Sequence, residues 1–413
     1  MDFIVIGAGP AGIMAAIQAA KNGSRVVVLE KNKVLCKKLR ITGKGRCNIT
    51  NACEKQELFD NIPGNSKFLM SCFNNFSNHD IISFFEENGL PVVVERGLRV
   101  FPASQNATDV ANCLINTARK LGVRFINECT VTALICDNNG ICGVETVSGK
   151  ETKRYMAPNV LVATGGLSYP LTGSTGDGYR FASELGHTII ETKPSLCPLI
   201  SDDFYISELE GCSLKNIAVE LFTGGKSVYK DFGEMVFTHD GVSGPVILSA
   251  SSHYNDSLPA KIEIDFKPAL DEETLDKRIL RDFSQVKNKI FANSLDALLP
   301  KKIIPVFVMK TQIPPDKQVN SITTQERKRI LQLLKHFDIN IVSKGDISEA
   351  IITAGGVNVK EINPKTMESK LCRGLYFAGE VIDIDGYTGG FNLTIAFSTG
   401  YAAGSCVFPS NNI

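Results

Sequence analysis

The chain has 413 residues, 43% of them hydrophobic and 21% charged; the length predicts two or three domains, and the balance excludes wholesale disorder. Lys and Arg together number 44, as do Asp and Glu, so the net charge is zero and the chain as a whole is not built as a polyanion binder. Twelve cysteines without a CxxC pair or finger-like Cys/His spacing predict reduced thiols in a cytoplasmic protein and no metal site.

The apolar start, residues 3–17, lacks a basic leader and is broken by Gly7, Gly9, Pro10 and Gly12, so it does not read as a signal segment. No run is long enough to span a bilayer. Residues 3–30 read instead as strand, glycine turn, helix and strand, a βαβ unit. Helices are expected at about 66–76, 79–88 with Asn78 as N-cap, and 107–121, followed by a strand near Arg124. From Thr130 to Met156, strands separated by Asn138-Asn139-Gly140 and Ser148-Gly149 predict a three-stranded antiparallel meander. A buried strand, Asn159 to Ala163, runs into Thr164-Gly165-Gly166.

Composition then shifts. Residues 201–276 carry 5 basic and 15 acidic residues and read as short strands, whereas residues 277–344 carry 14 basic and 5 acidic residues with mostly helical patterning. The plainer account of this split is mutual neutralisation across an internal interface. The sharper one is a basic surface of Lys277, Arg278, Arg281, Lys287, Lys289, Lys301, Lys302, Arg327, Lys328 and Arg329 that holds an RNA backbone. Past residue 353 the pattern returns to a strand, Leu375 to Ala378, then Gly379-Glu380, then a helix opened by Gly389-Gly390-Phe391-Asn392. The expected fold is α/β: a nucleotide-binding domain from both chain ends, 1–193 and 351–413, interrupted by a β-rich domain, 194–276, and a helical subdomain, 277–350, that returns to it.

The first turn carries the chemistry. Gly7 permits the tight turn, Gly9 lets the backbone approach a pyrophosphate, Gly12 lets the helix pack on the strand, and Pro10 and Ala11 open a helix whose free N–H groups face the ligand. Glu30 ends the second strand, 18 residues after Gly12. A carboxylate there accepts hydrogen bonds from ribose hydroxyls and repels a 2′-phosphate, which favours the ADP half of FAD or NAD over NADP. FAD is favoured over NAD by the meander, which with Val131, Thr164 and Gly165 brings a second segment against the turn. Gly379, Glu380 and the helix beginning at Asn392 and Leu393 favour it too, by placing N–H groups at a ring that is negative when reduced. No second GxGxxG marks a separate NAD(P)H domain.

These residues are part of a wider resemblance. Lys38 through Asn51, Arg99-Val100-Phe101-Pro102, Ala163 through Gly178, Phe237 through Pro245, Ala354-Gly355-Gly356-Val357, Thr366 through Lys370 and Gly374 through Gly404 resemble the BaiN/RdsA-type family of NAD(P)/FAD-dependent oxidoreductases, within the glutathione-reductase-like flavoproteins. The resemblance implies a three-part Rossmann-type fold, non-covalent FAD and a redox role, with either a small-molecule enone or a uracil base of ribosomal RNA as substrate. Two departures stand out: Lys44 replaces a residue that is usually small, and Phe391 replaces a Tyr.

Seven positive charges crowd residues 31–46: Lys31, Lys33, Lys37, Lys38, Arg40, Lys44 and Arg46. A solvated loop is the plain reading, but Gly43 and Gly45 suit approach to a phosphate or flavin edge, with Thr42 beside them. Arg46 is the expected stabiliser of negative charge at the flavin or substrate. Cys47 beside it is expected to have a lowered pKa, and either to deliver a proton or simply to pack. His239, which the resemblance brings to the active site, is the other expected proton donor. Two functions of different class follow: a flavin enzyme moving hydride to a polarised C=C bond with transient NAD(P)H as reductant, or a non-catalytic FAD-binding protein whose insertion docks partners.

Overall fold

The structure is a computed structural model and describes residues 1–409. Its contacts divide the chain into two units, residues 1–195 with 347 onward, and residues 196–346. Each unit has its own apolar cluster.

The first unit starts from β1 (Phe3–Ile6), α1 (Pro10–Lys21) and β2 (Val26–Leu29). Both strands are buried along their whole length, as befits strands covered on both faces. They sit in a five-stranded parallel sheet whose spatial order is Leu375–Phe377, Val160–Val162, β1, β2 and Arg124–Ile126. The outermost pairing explains how both chain ends build one domain: Val160 to Val162 pair with Leu375 to Phe377. The closing helix, Phe391–Ser405, packs along α1. A Cβ on Gly400 would stand 2.2 Å from the carbonyl oxygen of Ala11, so the two helices meet backbone to backbone. The meander forms as expected from Thr130–Asp137, Gly140–Ser148 and Glu151–Met156.

Several local expectations differ. The cap of the helix Asn78–Glu87 is Ser77, whose hydroxyl accepts from Asp80 N while Asp80 reaches back, so Asn78 is freed to hold the carbonyls of Asn51 and Cys53. The stretch 66–76 is a 3-10 turn, Ser66–Leu69, followed by a helix, Met70–Asn75. A short helix, Lys55–Asp60, and a small sheet of β3 (Thr50–Asn51), Arg99–Pro102 and Val92–Glu95 had no clear periodicity to announce them.

The second unit is a seven-stranded antiparallel sheet that includes the long hairpin Ser213–Thr223 and Lys226–Phe237, with helices Glu272–Gln285, Ile304–Thr311 and Thr324–Lys335 burying their apolar faces in the same cluster. Part of the charge split is satisfied inside it. Arg327 pairs with Asp276 at 2.8 Å, Lys335 with Asp265 at 2.5 Å and His336 with Glu263 at 2.7 Å, each a basic residue of the later segment on an acid of the earlier one. Of the expected basic surface, Lys277, Arg278, Arg281 and Arg327 are thus or locally ion-paired, while Lys287, Lys289, Lys301, Lys302, Lys328 and Arg329 are exposed, Lys302 donating to the carbonyl of Glu210.

Candidate functional site

One cavity of the first unit gathers the turn after β1, the start of α1, the end of β2, Cys36 to Leu39 with Thr42, Cys129 to Val131, Ala163 to Gly165, Ala378 to Glu380 and the first turn of the closing helix. Gly7, Gly9, Pro10, Ala11, Glu30, Lys31, Lys38, Thr42, Val131, Thr164, Gly165, Gly379, Glu380, Asn392 and Leu393 all line it.

The turn is as tight as its glycines require. Gly7 has φ +102°, and a Cβ there would lie 2.4 Å from Ala163 O, so no side chain fits between this turn and the strand beside it. Gly12 does not line the cavity; its missing Cβ lets the carbonyl of Gly7 pass. Gly9 caps α1 without a side-chain hydrogen bond, which leaves first-turn N–H groups for a ligand. Glu30 is buried: Oε2 accepts from Ala8 N at 2.9 Å, and Oε1 accepts from Asn32 N and Nδ2, both at 2.8 Å. This fixes the carboxylate against the turn.

Three of the seven cations of the basic run are held at the cavity wall. Lys31 Nζ donates to Asp177 at 2.7 Å and to Thr175 at 2.5 Å, and Lys37 donates to the carbonyl of Leu171 at 2.6 Å. Lys38 Nζ pairs with Glu380 Oε2 at 2.7 Å and donates to Ser168 Oγ at 2.5 Å. The other oxygen of Glu380 accepts from Ser168 Oγ at 2.8 Å and Thr353 N at 3.0 Å. Four separated segments are therefore tied by one ion pair, whose side chains are only 22% and 11% exposed. Ser168, Asp177 and Thr353 are wall residues that the sequence does not mark individually, although Ser168 and Asp177 fall in the stretch Ala163 through Gly178 that carries the family resemblance.

The stretches Lys38 through Asn51 and Gly374 through Gly404 interlock. Thr50 Oγ1 and Thr394 Oγ1 are 2.7 Å apart, Asn51 Nδ2 donates to Gly389 O at 3.1 Å, and a Cβ on Gly390 would collide with the Thr50 backbone. Asn392 does not turn its amide free: it donates to Gly386 O and accepts from Gly386 N, which locks the loop before the closing helix. That helix, like α1, has no side-chain cap, so its first N–H groups face the cavity end where Asn392 and Leu393 lie.

The placement of Cys47, Arg46, Gly43 and Gly45 departs from expectation. Cys47 is fully buried and outside the cavity lining, and burial pushes its thiol up to about 12 rather than down, because desolvation of a thiolate outweighs the side-chain hydrogen bond with Thr42. Arg46 lies over the ring of Phe101 at 4.1 Å and binds Glu95 at 3.0 Å and Gln105 at 2.7 Å, so its charge is taken by the small sheet and its loop. Gly43 and Gly45 do not line the cavity; with Lys44 they form a left-handed turn that folds the chain back on Asn48. His239 belongs to the second unit, where it is exposed and its Nδ1 lies 3.2 Å from Glu210.

The lining fits FAD. Beyond the glycine cradle and Glu30, Thr164 lines the cavity, and its Oγ1 is buried and without a hydrogen-bond partner among the described residues. No group of three or more His, Cys, Asp or Glu that could hold a metal ion occurs among the described residues, and no helix there is long and apolar enough to cross a membrane.

Comparison with known proteins agrees. The family described as HI0933-like protein Rossmann domain matches residues 1–406. A ribosomal RNA dihydrouridine synthase of Haemophilus influenzae is 31% identical over 97% of this chain and 96% of its own length. A 3-dehydro-bile acid delta(4,6)-reductase of Clostridium scindens is 29% identical over 97% of each chain. Among solved structures, a 3-ketosteroid delta1-dehydrogenase from Sterolibacterium denitrificans superposes with a TM-score of 0.54 over 98% of both chains at 13% identity, a likeness of fold.

Proposed function

The chain belongs to the HI0933-like Rossmann-domain family and is an FAD-dependent oxidoreductase, and from that premise we propose that it reduces a carbon–carbon double bond conjugated to a carbonyl, with uridine in ribosomal RNA as substrate and NAD(P)H as reductant. The observation that supports this most is the convergence of names: relatives matched end to end act in dihydrouridine synthesis and in delta(4,6) reduction, and both reactions saturate such a bond.

FAD bound in the cavity supplies the hydride chemistry. The chain's own residues supply position and charge. Glu30 takes the ribose hydroxyls, first-turn N–H groups of α1 take the pyrophosphate, and Thr164 gains the partner it lacks. The closing helix, held by Thr50 and Asn51, turns its positive end toward negative charge in the cavity. Lys38 keeps Glu380 compensated there. Cys47, buried and protonated, is not assigned the proton that completes the reduction; His239 is, on the family resemblance.

A small-molecule enone is the second reading, favoured by the bile-acid reductase. The test separates them. Ribosomal RNA from cells lacking the gene, digested to nucleosides and analysed by mass spectrometry, should lack a dihydrouridine that returns when the gene is restored. Unchanged dihydrouridine would contradict RNA as substrate and leave the enone.

A further inference from the structure

All twelve cysteines are free thiols, and the proposed reaction uses none of them. Two meet. Cys136 Sγ, on the strand Thr130–Asp137, lies 3.9 Å from Cys372 Sγ, 236 residues later in the sequence. Cys136 is exposed and Cys372 half-buried, so a small reagent can reach the pair.

The backbone around them is already fastened. Ile141 N donates to Arg373 O at 2.9 Å, and Val160 N donates to Gly374 O at 2.9 Å, which fixes the segment of Cys372 against the meander and the central sheet. A disulfide needs its sulfurs about 2.0 Å apart, so closure asks for roughly 2 Å of approach, within the reach of side-chain rotation. The third thiol nearby, Cys142, is directed elsewhere: its Sγ contacts Ile135 O at 3.2 Å.

Both segments lead into the cavity. The strand that carries Cys136 begins with Thr130 and Val131, which line it after Cys129, and the strand that follows Cys372, Leu375–Phe377, delivers Ala378, Gly379 and Glu380 to the same lining.

We propose that Cys136 and Cys372 form a reversible disulfide, closed by a low-molecular-weight disulfide, that ties two walls of the cofactor cavity and slows the loss of FAD. The wall-tying role rests on the proposed function; the cross-link itself does not. One protein thiolate attacks a sulfur of the small disulfide and expels the first small thiol. The second protein thiolate then displaces the other, so the protein pair gives up two electrons and two protons, and the small disulfide leaves as two thiols. Partial burial of its sulfur, with the neighbouring Cys372 thiol, holds Cys136 at about 12, and burial raises Cys372 as well. Thiolate is therefore scarce at neutral pH, and closure accelerates as pH rises.

The test uses the full-length, FAD-loaded protein treated with oxidised glutathione at several pH values, then alkylated, digested and mapped by mass spectrometry. In parallel, FAD release is followed by flavin fluorescence after dilution. The expected result is a peptide pair joined through Cys136 and Cys372, formed faster at higher pH, with FAD release slowed severalfold. Dithiothreitol reverses both effects, and Cys136→Ser and Cys372→Ser abolish them. Mixed disulfides without a bridge, or a bridge through Cys142, would overturn the pairing. A Cys136–Cys372 bridge with unchanged FAD release would overturn the wall-tying role. Protein that takes up no FAD overturns that role together with the proposed function, and the peptide map still decides the pairing.

Discussion

The two units use charge in opposite ways. In the first, three cations of the dense basic run at 31–46, Lys31, Lys37 and Lys38, are taken up by partners at the wall of a cavity. In the second, a larger imbalance between consecutive segments is partly satisfied by ion pairs across helices and strands, and six basic residues of the expected surface are left exposed outside any ion pair among the described residues. A run of like charge in a sequence therefore reports that partners are needed, and the fold decides whether they are internal.

The contrast can be broken most violently at the helix crossing of the first unit. Gly400→Leu forces a side chain into the carbonyl of Ala11, and overpacking of this kind costs about 1–3 kcal/mol or more. It should yield a chain that melts early and holds no FAD. Next comes the carboxylate at the turn. Glu30→Ala removes the acceptor for Ala8 N and Asn32 as well as the ribose contact, and should weaken FAD binding by about 10–100-fold, measured by flavin titration.

The cavity ion pair should lose less. Lys38→Gln strands Glu380 in a half-closed site and should lower stability by about 1–3 kcal/mol in denaturant melts, while the double variant with Glu380→Gln recovers part of that loss.

The second unit has a pH-sensitive tie. The Lys317 ammonium at 2.7 Å, with backbone and hydroxyl donors of Thr323, holds the Glu326 carboxyl down at about 2. A depressed acid stabilises the fold above its unfolded pKa and loses that contribution as pH falls through the folded one. Melting temperature should thus fall between about pH 4.5 and pH 2, and Glu326→Gln should flatten that part of the profile. The smallest effect separates internal from external charge. Arg327→Ala should cost about 1 kcal/mol through its pair with Asp276 and leave the salt dependence of the proposed RNA binding unchanged. Lys328→Ala with Arg329→Ala should do the reverse, flattening the salt slope without changing stability.

The Rossmann unit was legible because its signals are local: a strand, a glycine turn and a helix start leave fixed spacings, and Glu30 falls at a strand end. The meander was legible for the same reason, since turn residues separate alternating strands. The wall of Lys38, Ser168, Thr353 and Glu380 was not, because its members are far apart in sequence and only the fold joins them. Cys47 shows a different failure. Its neighbours in sequence are basic, but a thiol responds to its surroundings in space, and those are dry. Arg46 fails likewise, since Glu95 and Gln105 reach it only when the small sheet is formed.

The central claim is that this cavity holds an FAD used to saturate a conjugated C=C bond. Its most direct test is to reduce the purified, FAD-loaded protein without oxygen, mix it rapidly with uridine-containing ribosomal RNA fragments or a small enone, and follow the return of oxidised-flavin absorbance. The account predicts fast, saturable return with one of these substrates, formation of the saturated product in equal amount, and no return with the already saturated analogue. Return no faster than in buffer with either substrate, or equal return with the saturated analogue, would contradict it.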